Sequence, residues 1–252
     1  SKNATCVALP TNQPIAPTRM DSNAALMRDV NLEQPFHPIY RYAAITDSVE
    51  GLILVNVDTL ADGNARNNML KRAVTWNEGT ETPGVLNGAH HIVLGGSTAY
   101  VTTDVGIVIV DLAAPLKPKL TAVVSLPGAR ASALQFRYLF VLDSNGMRVI
   151  DVTVPGKPRL ADATVTLADA RRIYVARTYA YVAAGREGLA IIDVEQPEAP
   201  RLLTRYTAES RLNDARDVIV GSTNASLFAY VADGINGLKV VQLTAPDTQP
   251  KF

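Results

Sequence analysis

The chain is short of the residues that most often carry chemistry. Its 252 residues include one cysteine, three histidines and one tryptophan. A lone cysteine, Cys6, excludes an internal disulfide framework, and it excludes c-type haem attachment, which needs two. Long apolar runs are missing: no stretch of about 18 or more uncharged apolar residues occurs, so no membrane-spanning helix is expected. Charge of one sign is missing too. The 24 basic residues balance the 24 acidic ones, which gives no electrostatic reason to expect nucleic acid or an anionic membrane as partner. No Gly-x-Ser-x-Gly elbow, phosphate loop or dinucleotide fingerprint is present, and Gly95-Gly96 reads as a hairpin turn. Helical periodicity is nearly absent, with one candidate turn at residues 22–28. Residue 1 is serine with no charged-then-apolar leader behind it, so the numbered chain is expected to be a processed, trimmed or fragmentary product.

What is present is a repeat. Five segments read alike: GLILVNV from Gly51, GIVIVDL from Gly106, GMRVIDV from Gly146, GLAIIDV from Gly188 and GLKVVQL from Gly237. Each ends near one polar position, held by Asn56, Asp111, Asp151, Asp193 or Gln242. Prolines follow in register after the middle three, at Pro115 and Pro118, Pro155 and Pro158, and Pro197 and Pro200. Upstream, Tyr100, Phe140, Tyr181 and Tyr230 take one place per copy, with Ala44 in the first. A unit parses as an inner strand (residues 171–176, for example), a second strand such as AYVA, a Gly/Asp/Asn turn and a third strand. After the prolines comes a fourth strand such as RLLTRY. Four short antiparallel strands in roughly 40–50 residues make one β-propeller blade. The expected fold is therefore all-β, a β-propeller of about five four-stranded blades.

GIVIVDL, GMRVIDV and GLAIIDV, each followed by a PxxP stretch, resemble the LVIVD repeat, a propeller-type repeat of bacterial and archaeal proteins. The resemblance covers roughly residues 38–250. It implies an extracytoplasmic protein, in the periplasm or at the cell surface, and says little about function, because the family's members are mostly of unassigned biochemistry. Some members accompany multihaem electron-transfer systems, so a multihaem cytochrome is one partner that the resemblance suggests. The first and last copies depart from the pattern, with Asn56 and Gln242 replacing the aspartate.

Residues 1–26 are expected to form a leader with a candidate closing strand, and residues 27–252 the propeller. The blades are expected at about 27–87, 88–127, 128–168, 169–212 and 213–252. MRDVNLE at residues 27–33 fits the first inner strand, its Arg28 matching Arg216. TCVAL at residues 5–9 fits a closing strand on residues 237–243. The alternative is that further blades or another domain lie beyond Phe252.

Each later inner strand opens alike: Gly88-Ala-His90-His91, Gly128-Ala-Arg130, Asp169-Ala-Arg171 and Asp214-Ala-Arg216. His90, Arg130, Arg171 and Arg216 are equivalent and are expected at one channel mouth, beside the turn acids Asp47, Asp104, Asp143 and Asp233. A cluster of guanidinium groups suits a carboxylate or phosphate ligand. Pairing of each arginine with Asp169, Asp214 or Asp217 would make the same residues structural. Adjacent His90 and His91 point to opposite faces of a strand, so no metal site is expected. Residues 58–68 have turn acids without the calcium-loop spacing. Asp111, Asp151 and Asp193 are expected to be structural, accepting backbone N–H bonds before the proline turns. The variable insertions at 59–68, 76–87, 209–213 and 221–226 suit protein binding. The sequence therefore predicts a non-enzymatic extracytoplasmic scaffold that presents a protein-interaction surface, with no catalytic residue, metal or cofactor. The alternatives are an accessory subunit of a multihaem assembly, through an exposed His37 or His90, and a small-anion or enzymatic site at the channel mouth.

Overall fold

Apolar residues alternate with polar ones between Gly/Asp turns, and among the described residues nineteen short strands form where they do. The computed structural model describes residues 1–10, 36–78, 84–223 and 226–244. The chain divides into two compact units, Ser1–Ser125 and Leu126–Phe252.

The first unit holds two sheets. One runs in order through β1 (Ala4–Ala8), β2 (Tyr42–Asp47), β3 (Gly51–Asn56) and β4 (Lys71–Trp76). The other runs through β5 (His91–Gly95), β6 (Thr98–Thr103), β7 (Gly106–Asp111) and β8 (Lys119–Ser125). The second unit holds three. The third blade is β9 (Ala131–Gln135), β10 (Tyr138–Asp143), β11 (Gly146–Asp151) and β12 (Arg159–Thr166). The fourth is β13 (Arg172–Ala176), β14 (Tyr179–Ala183), β15 (Leu189–Asp193) and β16 (Arg201–Tyr206). The fifth has three described strands, β17 (Asp217–Ser222), β18 (Leu227–Ala232) and β19 (Leu238–Thr244). Neighbouring strands are antiparallel in every sheet. Within each unit the first strands of successive sheets touch, β1 with β5, β9 with β13 and β13 with β17, so they are the inner strands.

The structure corrects the reading of the N-terminus. Residues 5–9 do not pair with residues 237–243; β1 pairs with β2, with Cys6 opposite Thr46, Val7 opposite Ile45 and Ala8 opposite Ala44. The place expected for residues 27–33, which lie outside the described residues, is thus taken by β1. Side-chain size accounts for this. Cys6 and Ala8, two apart on one face, are small enough to pack against Ala44, Leu52 and Leu54, whereas Val7 and Leu9 stay exposed. The register also shows Asn3-Ala4-Thr5-Cys6 to be a fifth copy of the Gly88-Ala-His90-His91 motif, because Cys6 faces Thr46 as His91 faces Thr102. Thr5, not Arg28, is therefore the equivalent of Arg216.

Every blade has one bulky face and one small one. Phe140, Leu142, Met147 and Val149 of the third blade bury against Ala180, Val182, Ala190 and Ile192 of the fourth. Tyr181, Ala183 and Leu189 of the fourth bury against Val218, Ala229 and Val231 of the fifth. In the first unit Ala44, Leu52 and Leu54 meet Ala99, Val101, Val108 and Val110 in the same way. The third and fourth strands share one irregularity: the register slips between Leu54 and Val55, Ile109 and Val110, Arg148 and Ile150, and Ile191 and Ile192. Such a bulge increases the local twist of the outer strand.

Removing residues 1–9 is expected to strip the inner edge of β2 and lower the melting temperature. Hydrogen exchange should then speed up at Tyr42–Asp47 while the amides of Leu238–Thr244 keep their protection. Faster exchange confined to Leu238–Thr244 would restore the pairing first expected.

Candidate functional site

Two positions per blade meet at the end of the blades where the inner strand begins. One is the residue before the repeated alanine: Asn3, Gly88, Gly128, Asp169 or Asp214. The other lies in the turn between second and third strands: Ser48, Asp104, Ser144, Gly185 or Gly234. The two fill one space reciprocally. A Cβ on Gly88 would strike the Asp104 carboxylate, one on Gly185 the Asp169 carboxylate, and one on Gly234 the Asp214 carboxylate. The second blade thus delivers its carboxylate from the turn, and the fourth and fifth deliver theirs from the segment leading into the inner strand. The third carries neither, and Ser144 Oγ lies 3.3 Å from the Cβ position of Gly128.

This register revises the set of turn acids. Asp47, Asp143 and Asp233 are buried one residue earlier in the turn, and Thr103, not Asp104, is their equivalent. Asp47 accepts the N–H groups of Asn3, Val49 and Glu50 at 2.7–2.9 Å. Asp143 accepts those of Asn145 and Gly146, and Asp233 those of Asn213 and Asp214. They hold the loops and do not face a ligand. Burial pushes the Asp47 carboxyl up, but the N–H donors of Glu50, Asn3, Val49 and Lys2 outweigh it and hold the group below the usual carboxylate range.

In the second unit the predicted bases form an ion-pair ladder. Arg130 Nη1 lies 3.4 Å from Asp169 of the next blade and donates to the Ala170 carbonyl at 3.2 Å. Arg171 donates to Asp169 of its own blade (2.6 Å) and to Asp214 of the next (2.7 Å). Arg216 donates to Asp214 through Nε and Nη2 at 3.0 and 2.8 Å. The Arg171 guanidinium holds the Asp169 carboxyl below its ordinary value, and Arg216 followed by Arg171 does the same for Asp214. Asp217 takes no part; its carboxylate accepts the Val218 N–H.

In the first unit Thr5 Oγ1 donates to the Ala89 carbonyl at 2.9 Å, the counterpart of Arg130 reaching Ala170. His90 Nδ1 donates to the Gly88 carbonyl at 2.8 Å. His37 caps a short 3-10 turn, Pro38–Arg41, its Nδ1 accepting the Ile39 N–H at 3.1 Å. Among the described residues no group of three or more His, Cys, Asp or Glu could hold a metal ion.

The repeat aspartates sit at the opposite end of the blades. Asp111, Asp151 and Asp193 each accept the N–H two residues on, and Asn56 does likewise with Asp58. Each also stands opposite a base on the fourth strand: Lys71, Lys119, Arg159 or Arg201. The constant spacing from acid to base was a signal available in the sequence.

The ladder floors a groove of about 740 Å3 between the fourth and fifth blades, lined by Asp169, Arg171, Arg186, Glu187, Asp214 and Ile235 among others. Glu187 is paired with Arg205 at 3.0 Å. Arg186 is exposed and has no ion pair or hydrogen bond among the described residues, and Ile235 beside it is 97% exposed. Beside the groove, Ala208, Glu209 and Ser210 run consecutively at φ +48°, +57° and +69°. Left-handed backbone costs about 1–2 kcal/mol per non-glycine residue. Buried Leu212, the Arg211 N–H to Ala208 bond and the Asn213 side chain on the Ser210 carbonyl hold the loop there. Sequence reasoning missed Arg186 and Ile235, because neither position repeats from blade to blade.

Three segments match the LVIVD repeat, at residues 88–125, 168–208 and 214–246. No curated protein matches the chain. Among solved structures it resembles a functionally unknown protein from Desulfotomaculum acetoxidans, with a TM-score of 0.55 at 14% identity over 80% of this chain and 66% of that one. It also resembles the Cps50 (Swd1) β-propeller domain of Myceliophteria thermophila, with a TM-score of 0.55 at 14% identity over 83% of this chain and 70% of that one. The N-terminal domain of Nup159 gives 0.51 at 10% identity, over 81% of this chain and 62% of that one. At such identities the likeness shows the β-propeller fold alone. The chain spans just under two thirds of the Desulfotomaculum protein and of the Nup159 domain.

Gly185→Ala is expected to destabilise the second unit, since its φ of +55° is left-handed and the new methyl meets Asp169. Asp169→Gly removes that clash, so the two changes should couple by about 1 kcal/mol or more in a double-mutant cycle of chemical denaturation. Simple additivity would mean the two positions do not share a space.

The acid limb follows from the lowered carboxyls. With folded pKa values below the unfolded value of about 4, the unfolded chain binds protons first as pH falls. Stability should be level above about pH 4 and fall below it as Asp47, Asp169 and Asp214 protonate. Asp169→Asn should make the fall shallower in denaturant titrations carried downward from about pH 5.

Proposed function

From the premise that the chain carries LVIVD repeats on a β-propeller fold, we propose that it is a non-enzymatic extracytoplasmic scaffold, part of a larger protein or complex. Its protein-recognition surface is the groove between the fourth and fifth blades. The observation that carries this reading is the pairing of an unpartnered guanidinium with an exposed aliphatic side chain over a floor that is already neutralised. Asp169, Asp214 and Glu187 are all ion-paired, so none is poised as a general base or nucleophile. Arg130, Arg171 and Arg216 are likewise engaged with carboxylates. What remains for a ligand is Arg186 and Ile235, which suit a partner segment with a carboxylate next to an apolar residue. The strained loop at Ala208-Glu209-Ser210 sits beside them, as strain does at many recognition sites. A multihaem cytochrome enters as partner from the family resemblance alone.

A second reading, a small-anion site, has Arg186 in its favour. The two separate in one experiment. Arg186→Glu and Ile235→Asp, both surface changes, should leave the melting temperature unchanged and abolish cross-links to the native partner recovered from cell envelopes. Calorimetric titration of the wild-type chain with a small dicarboxylate or phosphate should show no heat of binding. Saturable heat lost in Arg186→Glu, with Ile235→Asp behaving as wild type, would overturn the scaffold reading in favour of the anion site.

A further inference from the structure

The bulky face of the fifth sheet differs from its counterparts in the other blades. Leu238 is 66% exposed, where its equivalents Leu189 and Met147 are fully buried, and Val240 is 57% exposed, where Val149 of the third blade is fully buried and Ile191 of the fourth is half-buried. Ile219 lies across from them on the same face and is 58% exposed. In the third and fourth blades this face is covered by the alanine and valine face of the blade that follows. The ion ladder is open at the same edge. Arg130 reaches Asp169 of the next blade and Arg171 reaches Asp214 of the next, but Arg216 holds the carboxylate of its own blade and is 60% exposed.

We propose that the fifth sheet is the docking face for a further blade of the same kind. Two independent features define the occupant. Its second and third strands present small aliphatic residues, as Ala180, Val182, Ala190 and Ile192 do to the third blade. The segment leading into its inner strand carries an aspartate before an alanine, which pairs with Arg216 as Asp169 and Asp214 pair with the arginines before them. A second copy of this chain does not offer that surface through its first blade, because Ala43 and Ile53 on the corresponding small face are already buried. The inference rests on the repeat packing and does not depend on the groove reading.

The test appends a second copy of residues 168–208, the fourth repeat, after Phe252 of the full chain. With Val240→Cys as reporter, alkylation of that thiol, resolved from Cys6 by peptide mass spectrometry, should slow at least tenfold, an order-of-magnitude criterion for burial. The melting temperature should rise by roughly 2–4 °C, the shift expected of about 1 kcal/mol in a chain of this size. Both effects should vanish when the appended copy carries lysine at the positions of Ala180 and Val182. Arg216→Ala should lower the melting temperature of the fusion more than that of the parent. Unchanged labelling in a folded fusion would overturn the proposal. In the parent, Leu238→Lys with Val240→Lys should leave the melting temperature within about 2 °C, as surface changes do. A larger fall would show the face already covered and overturn the proposal without the fusion. Light scattering that finds the parent dimeric, and monomeric after Val240→Lys, would assign the face to a second copy instead.

Discussion

Contact between a bulky face and a small one, from one blade to the next, is the interaction on which the rest of this structure depends. A single antiparallel sheet of four short strands buries too little to be stable alone. Stacking lets Phe140, Met147 and Leu189 disappear against alanines and valines of the neighbour, each such side chain contributing about 1.5–3 kcal/mol. The asymmetry gives the array a direction. Within each unit the bulky face looks toward the next repeat, and the last described sheet shows Leu238 and Val240 to solvent.

Polar structure follows that direction. The ladder through Arg130, Asp169, Arg171, Asp214 and Arg216 crosses from blade to blade at the edge where the hydrophobic faces begin. Its members are partly to largely exposed, so solvent screens each pair and each adds only modestly to stability. Its larger effect is to position the groove floor and to neutralise it. Buried Asp47, Asp143 and Asp233 fix the turns above by accepting backbone N–H groups. Recognition is then left to side chains outside the repeat pattern.

Blade structure was legible because it repeats. Gly-Leu/Ile/Met-x-Val/Ile-Val/Ile-Asp and the prolines after it mark the third strand and its end in every middle copy, and one-residue alternation leaves a single way to bury them. The first inner strand was not legible in the same way. TCVAL and MRDVNLE both look like strands, and only pairing with Thr46, together with the need for small residues beside Ala44, decides between them. Likewise Asp104 resembles Asp143 by eye, yet the register puts it one residue away, in the space that Asp169 and Asp214 fill from another loop.

The sequence by itself determined the all-β class, the blade unit, the arginines that begin the inner strands and the one aromatic per copy, of which Tyr100, Phe140 and Tyr181 are core residues and Tyr230 is half-buried. These are local or periodic properties, and periodicity is written along the chain. Tertiary structure decided which strand completes the first blade and which acid meets which arginine. It also decided that Arg186 and Ile235 stand free beside a neutralised floor. Those outcomes depend on distances between segments roughly 40 residues apart, and only the packing of one blade face on the next sets them.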